Sequence, residues 1–233
     1  SLMRYYRARR LSEAARIMAF GVDDILGLAL ETGYGSHEAF TRAFRELFGS
    51  TPETVRDARS LNNLTLMEPM IMDSSTALTL ASPRIEHHKQ MKLVGLTKLF
   101  AMEQIGAIPA LWDLFNRHAG HIPNSVGPTA YGVSLSFSEE TGCDYMCGIE
   151  VMDFSDVPAD LTARSIPAAT YAKFHQPGHI TLMRQTIGTI WNRWLPDSGY
   201  RADEQACLVE VYAGEFDART GAGGFDVWMP VVK

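Results

Sequence analysis

The stretch from Gly33 to Pro52, GYGSHEAFTRAFRELFGSTP, combines a turn, an amphipathic helix and a second turn. Gly33 can adopt the positive φ that ends a preceding helix, and the side chain of Ser36 is suited to cap the next one. Phe40 and Phe44 lie one helical turn apart, so the helix has one apolar face. The stretch therefore predicts a helix-turn-helix, a motif whose second helix can enter the major groove of DNA.

Further helices are predicted around this stretch. An arginine-rich amphipathic helix fits Tyr5–Met18, and a second helix fits Val22–Thr32. Asp23 and Asp24 are placed in the first turn of the second helix, where the helix dipole favours negative charge. The pair Thr51-Pro52 predicts the start of a short fourth helix, with threonine as its N-cap.

Five side chains of the central helix are candidates for contact with DNA. His37, Glu38, Thr41 and Arg42 are expected to face base edges, whereas Arg45 is expected to meet phosphate. Two alternatives stay open from the residues alone. The helices can form a purely structural hairpin, or these side chains can be ordinary solvated surface groups.

Charge is distributed unevenly along the 233 residues. Residues 1–60 hold nine arginines against eight acidic residues, whereas residues 61–233 hold 12 Lys and Arg against 19 Asp and Glu. Because a negative domain repels nucleic acid, we assign any DNA contact to the N-terminal part. The chain shows neither an apolar run long enough for a membrane span nor a secretory signal, so a cytoplasmic protein is expected.

No catalytic residue, metal site or cofactor is predicted. Cys143, Cys147 and Cys207 lack the spacing of zinc ligands and are interpreted as reduced, buried residues. His118 and His121 lie in a segment with glycine and proline after a helix, which is not a persuasive ligand pair.

The C-terminal two thirds of the chain repeats itself. Leu114–Arg117 recurs as Ile190–Arg193, and Gly148–Val151 recurs as Asp226–Met229, at offsets of 76 and 78 residues. Each copy is predicted to form a strand, a helix and two strands. The predicted strands are Gln90–Phe100, Thr129–Phe137, Asp144–Met152, Ala163–Gln176, Ala206–Phe216 and Gly224–Val232, and the predicted helices are Ile105–Arg117 and Ile180–Trp194.

This pattern predicts an α+β protein. An all-α helix-turn-helix segment occupies residues 1–58 and a linker occupies residues 59–82. Residues 83–233 form a duplicated β-α-β-β domain, with an antiparallel sheet, two helices on one face and a cleft near the pseudo-twofold axis.

Glu210 stands out in the predicted strand Leu208–Tyr212, because its neighbours are apolar and Tyr212 shares its face. Burying a carboxylate is unfavourable unless a partner compensates it. One interpretation is that Glu210 faces solvent or pairs with an arginine. The other is that it neutralises a cationic, apolar ligand in an aromatic pocket.

The run Gly33–Arg56 resembles the C-terminal signature of the AraC/XylS family of bacterial transcription regulators. The resemblance includes Ala43-Phe44 and the segment Phe48-Gly49-x-Thr51-Pro52 near the end of the signature. The resemblance implies that Arg4–Ala19 links two helix-turn-helix units, the first of which would precede Tyr5. We expect either a truncated sequence, which we favour, or a protein that needs a partner for affinity. A single unit is expected to bind double-stranded DNA weakly, since it offers few phosphate contacts.

Residues 82–233 resemble the GyrI-like effector-binding domains found behind AraC-type and MerR-type helix-turn-helix regions. The segments that carry the resemblance are Val94–Leu96, Tyr131–Val133, Gly148–Val151, Trp194–Tyr200, Val209–Tyr212 and Asp226–Val231. The resemblance implies that an amphipathic cation binds to a glutamate, a role carried onto Glu210. Candidates for the aromatic walls around it are Tyr131, Phe115, Trp191 and Tyr212. Asp226 stands where relatives tend to carry glutamate, so its part in binding is left open.

Taken together, the sequence predicts a one-component transcription regulator, in which a small effector in the C-terminal cleft alters how the helix-turn-helix engages DNA. The effector is expected to be a lipophilic cation, and a homodimer is one candidate assembly. A hydrolase or drug-sequestering protein that uses Glu210 is the main alternative, and a protein-interaction module without a ligand is a third.

Overall fold

The computed structural model describes residues 2–21, 24–66, 78–118, 120–138 and 142–233, apart from the side chains of residues 2–6, 102, 103, 137 and 138. The chain divides into two compact units, Arg4–Ile71 and Met72–Lys233, with Ser1–Met3 grouped with the second. Within the described ranges, no helix combines the length and the apolar character that a membrane span requires.

Four helices form the N-terminal unit. They are α1 (Leu2–Ala19), α2 (Ile25–Glu31), α3 (His37–Phe48) and α4 (Pro52–Ala58). Their apolar faces meet in one core, in which Leu11, Met18, Phe40, Phe44 and Val55 are almost fully buried. Each large side chain buried in this way contributes about 1.5–3 kcal/mol of hydrophobic stabilisation.

Local signals set the ends of these helices as predicted. The side chain of Ser36 accepts a hydrogen bond from the backbone N–H of Ala39 at 3.2 Å, which caps α3. Gly33 and Gly49 have φ angles of 82° and 66°, in the left-handed region that glycine adopts without strain. Thr51 caps α4, and Pro52 follows as its first residue.

The second helix departs from its predicted start. It begins at Ile25 because Asp24 is its N-cap, with Oδ1 accepting a hydrogen bond from the backbone N–H of Gly27 at 2.8 Å. Asp24 therefore precedes the first turn, which corrects the prediction. Val22 and Asp23 lie outside the described residues.

The C-terminal unit is a nine-stranded antiparallel sheet with helical segments, which confirms the predicted α+β class. The strands are β1 (Arg84–His88), β2 (Met91–Phe100), β3 (Ser125–Ser138), β4 (Gly142–Val151), β5 (Thr162–Ile166), β6 (Ala169–Gln176), β7 (Arg201–Ala202), β8 (Leu208–Tyr212) and β9 (Phe225–Val232). A 3₁₀ turn (Met102–Ala107) leads into α5 (Ile108–Phe115). The second helical segment runs through a 3₁₀ turn (Ile180–Leu182), α6 (Met183–Thr189), a π turn (Ile190–Trp194) and α7 (Leu195–Asp197).

The strand order is β1-β6-β9-β8-β3-β4-β2-β5, with β7 paired to β9. The predicted strand Ala163–Gln176 is in fact two strands, β5 and β6, which separate at Pro167 because proline has no N–H for a ladder hydrogen bond. β1, which was not predicted as a strand, pairs with β6, while β5 pairs with β2. The strand before the first copy, β1, therefore pairs with the second copy, and the first strand of the second copy, β5, pairs with the first copy.

The register of the central strands brings Glu210 to the helical face of the sheet. One row of paired residues crosses five neighbouring strands, so its members share one face of the sheet. The row consists of Phe174 on β6, Val227 on β9, Glu210 on β8, Gly132 on β3 and Cys147 on β4.

Both helical segments also contact this face. The Cys147 thiol donates a hydrogen bond to the carbonyl of Leu111 in α5, and the ring of Trp194 packs edge-on against Phe174 at 4.9 Å. The prediction of two helices on one face is confirmed. The opposite face carries a separate apolar cluster that includes Tyr131, Tyr171 and Trp228.

Candidate functional site

A single carboxylate oxygen of Glu210 accepts hydrogen bonds from two tyrosines. The hydroxyl of Tyr145 on β4 donates to Oε2 at 2.5 Å, and the hydroxyl of Tyr212 on β8 donates to the same atom at 2.8 Å. Both tyrosines are buried, whereas Glu210 is partly exposed. The carboxylate is therefore held in one orientation while part of it remains accessible.

The other oxygen, Oε1, has no hydrogen-bond partner in the described part of the chain, and no described lysine or arginine pairs with Glu210. The interpretation that an arginine compensates this carboxylate is therefore wrong for the described residues. An unpartnered oxygen beside a fixed one leaves Glu210 able to bind a cation or a hydrogen-bond donor.

Gly132 on β3 makes the room in which this cluster forms. A Cβ atom at this position would lie 2.5 Å from Oε2 of Glu210 and would overlap the hydroxyl of Tyr145. Since any larger residue would occupy the same space, the close approach of Tyr145 and Glu210 depends on glycine here.

Trp112 of α5 extends the cluster towards the helix. Its indole N–H donates to the hydroxyl of Tyr145 at 3.2 Å, and its ring lies edge-on to Tyr212 with centroids 5.0 Å apart. Phe115 packs against Trp112 at 5.9 Å. The result is a chain of hydrogen bonds from Trp112 through Tyr145 to Glu210, surrounded by aromatic rings.

Burial dominates the acid–base properties of the cluster. It raises the pKa of Glu210 above its ordinary value, and the hydrogen bonds from Tyr145 and Tyr212 oppose this effect in part. Burial and the neighbouring carboxylate raise the pKa of both tyrosines well above the ordinary value, so their hydroxyls remain donors. A bound cation would favour the charged form of Glu210.

The structure brings together only some of the predicted effector residues. Tyr212 contacts Glu210 directly and Phe115 joins through Trp112, while Trp191 is buried in the π turn of the second helical segment. Tyr131 pairs with Val211 and lies on the opposite face, with its ring 6.3 Å from Trp228. Tyr131 therefore cannot form a wall beside Glu210, which corrects that expectation, because adjacent residues in a strand point to opposite faces.

Trp112 and Tyr145 were not among the residues predicted for this site. Trp112 lies three residues before Phe115 on the same helix, which is a local signal that points to it. Tyr145 has no comparable local signal, since its approach to Glu210 depends on strand pairing across β3.

The exposed surface of α3 presents Glu38, Arg42 and Arg45 at helical spacing. His37 is only partly exposed, and its Nε2 lies 2.9 Å from Oε1 of Glu53 on α4. The hydroxyl oxygen of Thr41 is buried and has no partner among the described residues. Of the five predicted DNA contacts, Glu38 and the two arginines are thus presented most openly.

The described residues hold no group of three His, Cys, Asp or Glu side chains that could bind a metal ion. The chemistry that the two surfaces offer is therefore that of a carboxylate among aromatic rings and of guanidinium groups on a helix.

Comparison with known proteins matches both units. Residues 81–232 match the GyrI-like small molecule binding domain, and residues 1–58 match a helix-turn-helix domain. Both resemblances noted in the sequence, to AraC-type and to GyrI-like domains, are confirmed.

Curated relatives share this arrangement over most of their length. The transcriptional regulator Rob of Salmonella typhimurium is 28% identical over 229 residues, and the right origin-binding protein of Escherichia coli K12 is 26% identical over 226 residues. Each alignment covers 93% of this chain and 76% of the relative.

Among solved structures, SAV2435 bound to tetraphenylphosphonium has a TM-score of 0.55 at 15% identity. That match covers 65% of this chain and 94% of SAV2435, so the C-terminal unit shares its fold. From the family match over residues 81–232, the chain belongs to the GyrI-like small-molecule-binding family and carries a helix-turn-helix domain ahead of that unit.

Proposed function

We propose that the chain is a transcriptional regulator whose C-terminal unit binds a lipophilic cation at Glu210 and whose helix α3 contacts DNA. The observation that carries the ligand assignment is the Glu210 carboxylate, fixed through one oxygen and unpartnered at the other within the described residues. The combination of a helix-turn-helix with a small-molecule domain supports the regulatory role. Such a protein would act in the cytoplasm, beside the chromosome.

The environment of Glu210 favours a cation with an apolar body. Electrostatic attraction is stronger at a partly buried carboxylate than in bulk water, because the effective dielectric constant is lower. Trp112, Tyr212 and Phe115 supply aromatic surface close to that charge. Cation–π contact and apolar burial would therefore add to the charge pairing.

Regulation then follows from a shift between states. A ligand changes DNA binding only if it binds two arrangements of the protein with different affinity. The proposal therefore requires measurements of ligand binding and of DNA binding on the same chain, with the two arginines of α3 as the predicted DNA contacts.

Replacing Glu210 with glutamine is expected to abolish most of the affinity for a lipophilic cation. Tetraphenylphosphonium is a suitable probe, since it binds a protein of the same fold. Loss of one close charge pair corresponds to about 2 kcal/mol or more, which is roughly 30-fold in Kd. Isothermal titration calorimetry measures this directly.

Glu150→Gln is the matched control, because Glu150 is also a partly buried glutamate. It lies five residues after Tyr145 on β4, so its side chain points to the opposite face of the sheet. Glu150→Gln should leave the affinity unchanged. Equal affinity of wild type and Glu210→Gln for tetraphenylphosphonium would rule out the charged site.

Cation binding is also expected to depend on pH. Because burial raises the pKa of Glu210 in the folded protein, the carboxylate becomes protonated at a higher pH than an exposed glutamate would. Affinity should be full above that pKa and should fall as the pH decreases through it. A calorimetric series from neutral to acidic pH tests this, and a flat profile across the series would contradict it.

The same cluster favours hydrolysis as a second candidate function. The Tyr145 hydroxyl lies 2.5 Å from Glu210, an arrangement that can hold or transfer a proton in general acid–base catalysis. Incubation with a p-nitrophenyl ester separates the two candidates. Turnover that is lost in Glu210→Gln favours a hydrolase, whereas saturable cation binding without turnover favours a regulator.

DNA binding is expected to weaken when either exposed arginine of α3 is replaced. A plot of the logarithm of the DNA association constant against the logarithm of the salt concentration has a negative slope. Arg45→Ala should make this slope shallower by about one unit, as expected for loss of one phosphate contact. Arg42→Ala should also weaken binding. Fluorescence anisotropy with a pool of random-sequence duplexes, titrated at several salt concentrations, provides the measurement.

Arg219→Ala serves as the control for these substitutions, since Arg219 is an exposed arginine of the C-terminal unit. It should not change the salt dependence. Unaltered binding by both Arg42→Ala and Arg45→Ala would remove α3 as the DNA-contacting surface.

A further inference from the structure

A cavity in the C-terminal unit shares no lining residue with the Glu210 cluster. Its volume is about 350 Å³, which is within the range of roughly 300–1,000 Å³ typical of small-molecule sites. One wall is the segment Leu78–Ser82, which precedes β1. The other is formed by β6 and the second helical segment, through Phe174, Thr189, Arg193, Trp194, Asp197 and Ser198.

The helical wall contains the π turn Ile190–Trp194. Single π turns within α-helices are rare and occur frequently at functional sites. This turn supplies both Arg193 and Trp194 to the cavity, so an irregular piece of backbone coincides with the lining.

The apolar part of the lining is suited to an aromatic ring. Phe174 is buried and packs edge-on against Trp194, with centroids 4.9 Å apart. Leu78 and Leu80 line the cavity from the other wall. An aromatic group between these side chains would be enclosed by two rings and two leucines.

Two of the three hydroxyl groups of the lining, those of Thr189 and Ser198, are already engaged in local hydrogen bonds. Thr189 donates to the carbonyl of Gln185 at 2.8 Å and accepts from the backbone N–H of Leu78 at 3.3 Å. Ser198 donates to the carbonyl of Leu195 and accepts from the N–H of Tyr200. The strongest polar recognition in this cavity therefore falls to its two charged residues, with the hydroxyl of Ser82 as a further hydrogen-bonding group.

Those residues are Arg193 and Asp197, which are exposed and stand one helical turn apart. Within the described residues no ion pair joins them to each other or to another side chain. Because the lining holds one positive and one negative group, a ligand of a single sign would meet a like charge. A ligand that carries both charges would pair with both.

We propose that this cavity binds a zwitterion of the size of an aromatic α-amino acid. Its carboxylate pairs with the guanidinium of Arg193, its ammonium group pairs with the carboxylate of Asp197, and its ring lies among Phe174, Trp194 and the two leucines. The site is additional to the Glu210 site, and the assignment does not depend on what Glu210 binds.

Three ligands with the same phenyl group test the charge requirement. L-phenylalanine is a zwitterion, 3-phenylpropionate has only the carboxylate, and phenethylamine has only the ammonium group. Isothermal titration calorimetry on the full chain should show the tightest binding for L-phenylalanine. Binding of phenethylamine or 3-phenylpropionate as tightly as L-phenylalanine would overturn the assignment, as would the absence of heat for L-phenylalanine.

Substitutions locate the binding. Arg193→Gln and Asp197→Asn are each expected to weaken L-phenylalanine binding by about tenfold or more, since each removes one charge-assisted contact. Arg184→Gln is the matched control, because Arg184 is an exposed arginine on the same helical segment outside the cavity lining. Equal binding by Arg193→Gln, Asp197→Asn and Arg184→Gln would overturn the proposal.

Glu210→Gln separates this site from the cation site. It should leave L-phenylalanine binding unchanged while it removes tetraphenylphosphonium binding. If L-phenylalanine binding is lost in Glu210→Gln and retained in Arg193→Gln, the zwitterion binds at Glu210 and the proposed second site is refuted.

Discussion

Replacing Phe44 with alanine is expected to unfold the N-terminal unit. Phe44 is fully buried at the centre of the four-helix core and packs between Phe40 and Phe48, with ring centroids 5.8 and 4.6 Å away. Truncation of a buried phenylalanine destabilises a core by about 3–5 kcal/mol. A unit of this length has a total stability of only about 3–10 kcal/mol, so the loss removes much of it.

Far-UV circular dichroism and DNA binding measure this result. The variant should lose helical signal and DNA affinity, while it continues to bind tetraphenylphosphonium, because the C-terminal unit has a core of its own. Phe20→Ala is the matched control, since Phe20 is 92% exposed and its truncation creates no cavity. A Phe44→Ala protein with wild-type DNA binding and wild-type thermal unfolding would contradict the assignment of this core.

Gly132→Ala is expected to disrupt the ligand cluster. The added methyl group would overlap the hydroxyl of Tyr145 and lie 2.5 Å from Oε2 of Glu210, so both side chains must move. Overpacking of this kind destabilises a domain by about 1–3 kcal/mol. Because the displaced groups are those that fix the carboxylate, tetraphenylphosphonium binding should be lost even where the fold persists.

Gly127→Ala on the same strand is the control, since a Cβ there would meet no atom within 4 Å. Thermal unfolding and calorimetry of both variants give the comparison. If Gly132→Ala binds the cation as wild type does, the hydrogen bonds from Tyr145 and Tyr212 are not needed to hold Glu210.

The helix-turn-helix was predictable because its signals are local. Ser36, Thr51 and the two glycines act on backbone groups within a few residues, and such interactions can be read from the sequence. The start of α2 was predicted three residues too early. Aspartate is favoured both as an N-cap and in the first turn of a helix, so the residue type of Asp24 does not distinguish the two positions.

The composition of the Glu210 site was only partly predictable. Alternation along β8 correctly placed Tyr212 beside Glu210, since both belong to one strand. The choice between Tyr131 and Tyr145 required the register of β3 against β4 and β8, which aligns Gly132 with Glu210. Register depends on pairing between distant segments, so the sequence alone favoured the wrong tyrosine.

The edge strand β1 was missed for a related reason. Its residues, RIEHH, show no apolar alternation. It is held by pairing with β6 and by Glu86, which accepts a hydrogen bond from Lys173 at 2.8 Å, while Lys173 Nζ lies 3.9 Å from the centroid of the Trp228 ring. These partners come from the second copy of the repeat, about ninety residues away, and no local pattern reveals them.

The exchange of β1 and β5 between the two copies ties folding of the C-terminal unit to completion of its synthesis. β1 pairs with β6, β5 pairs with β2, and β3 pairs with β8 as well as with β4, so the sheet is complete only when strands from both copies are present. Sheets built from such distant pairings form slowly, whereas helices with nearby contacts form fast. On the ribosome the helix-turn-helix can therefore fold while the sheet is still incomplete, and the exposed early strands are the part of the nascent chain most dependent on protection from aggregation.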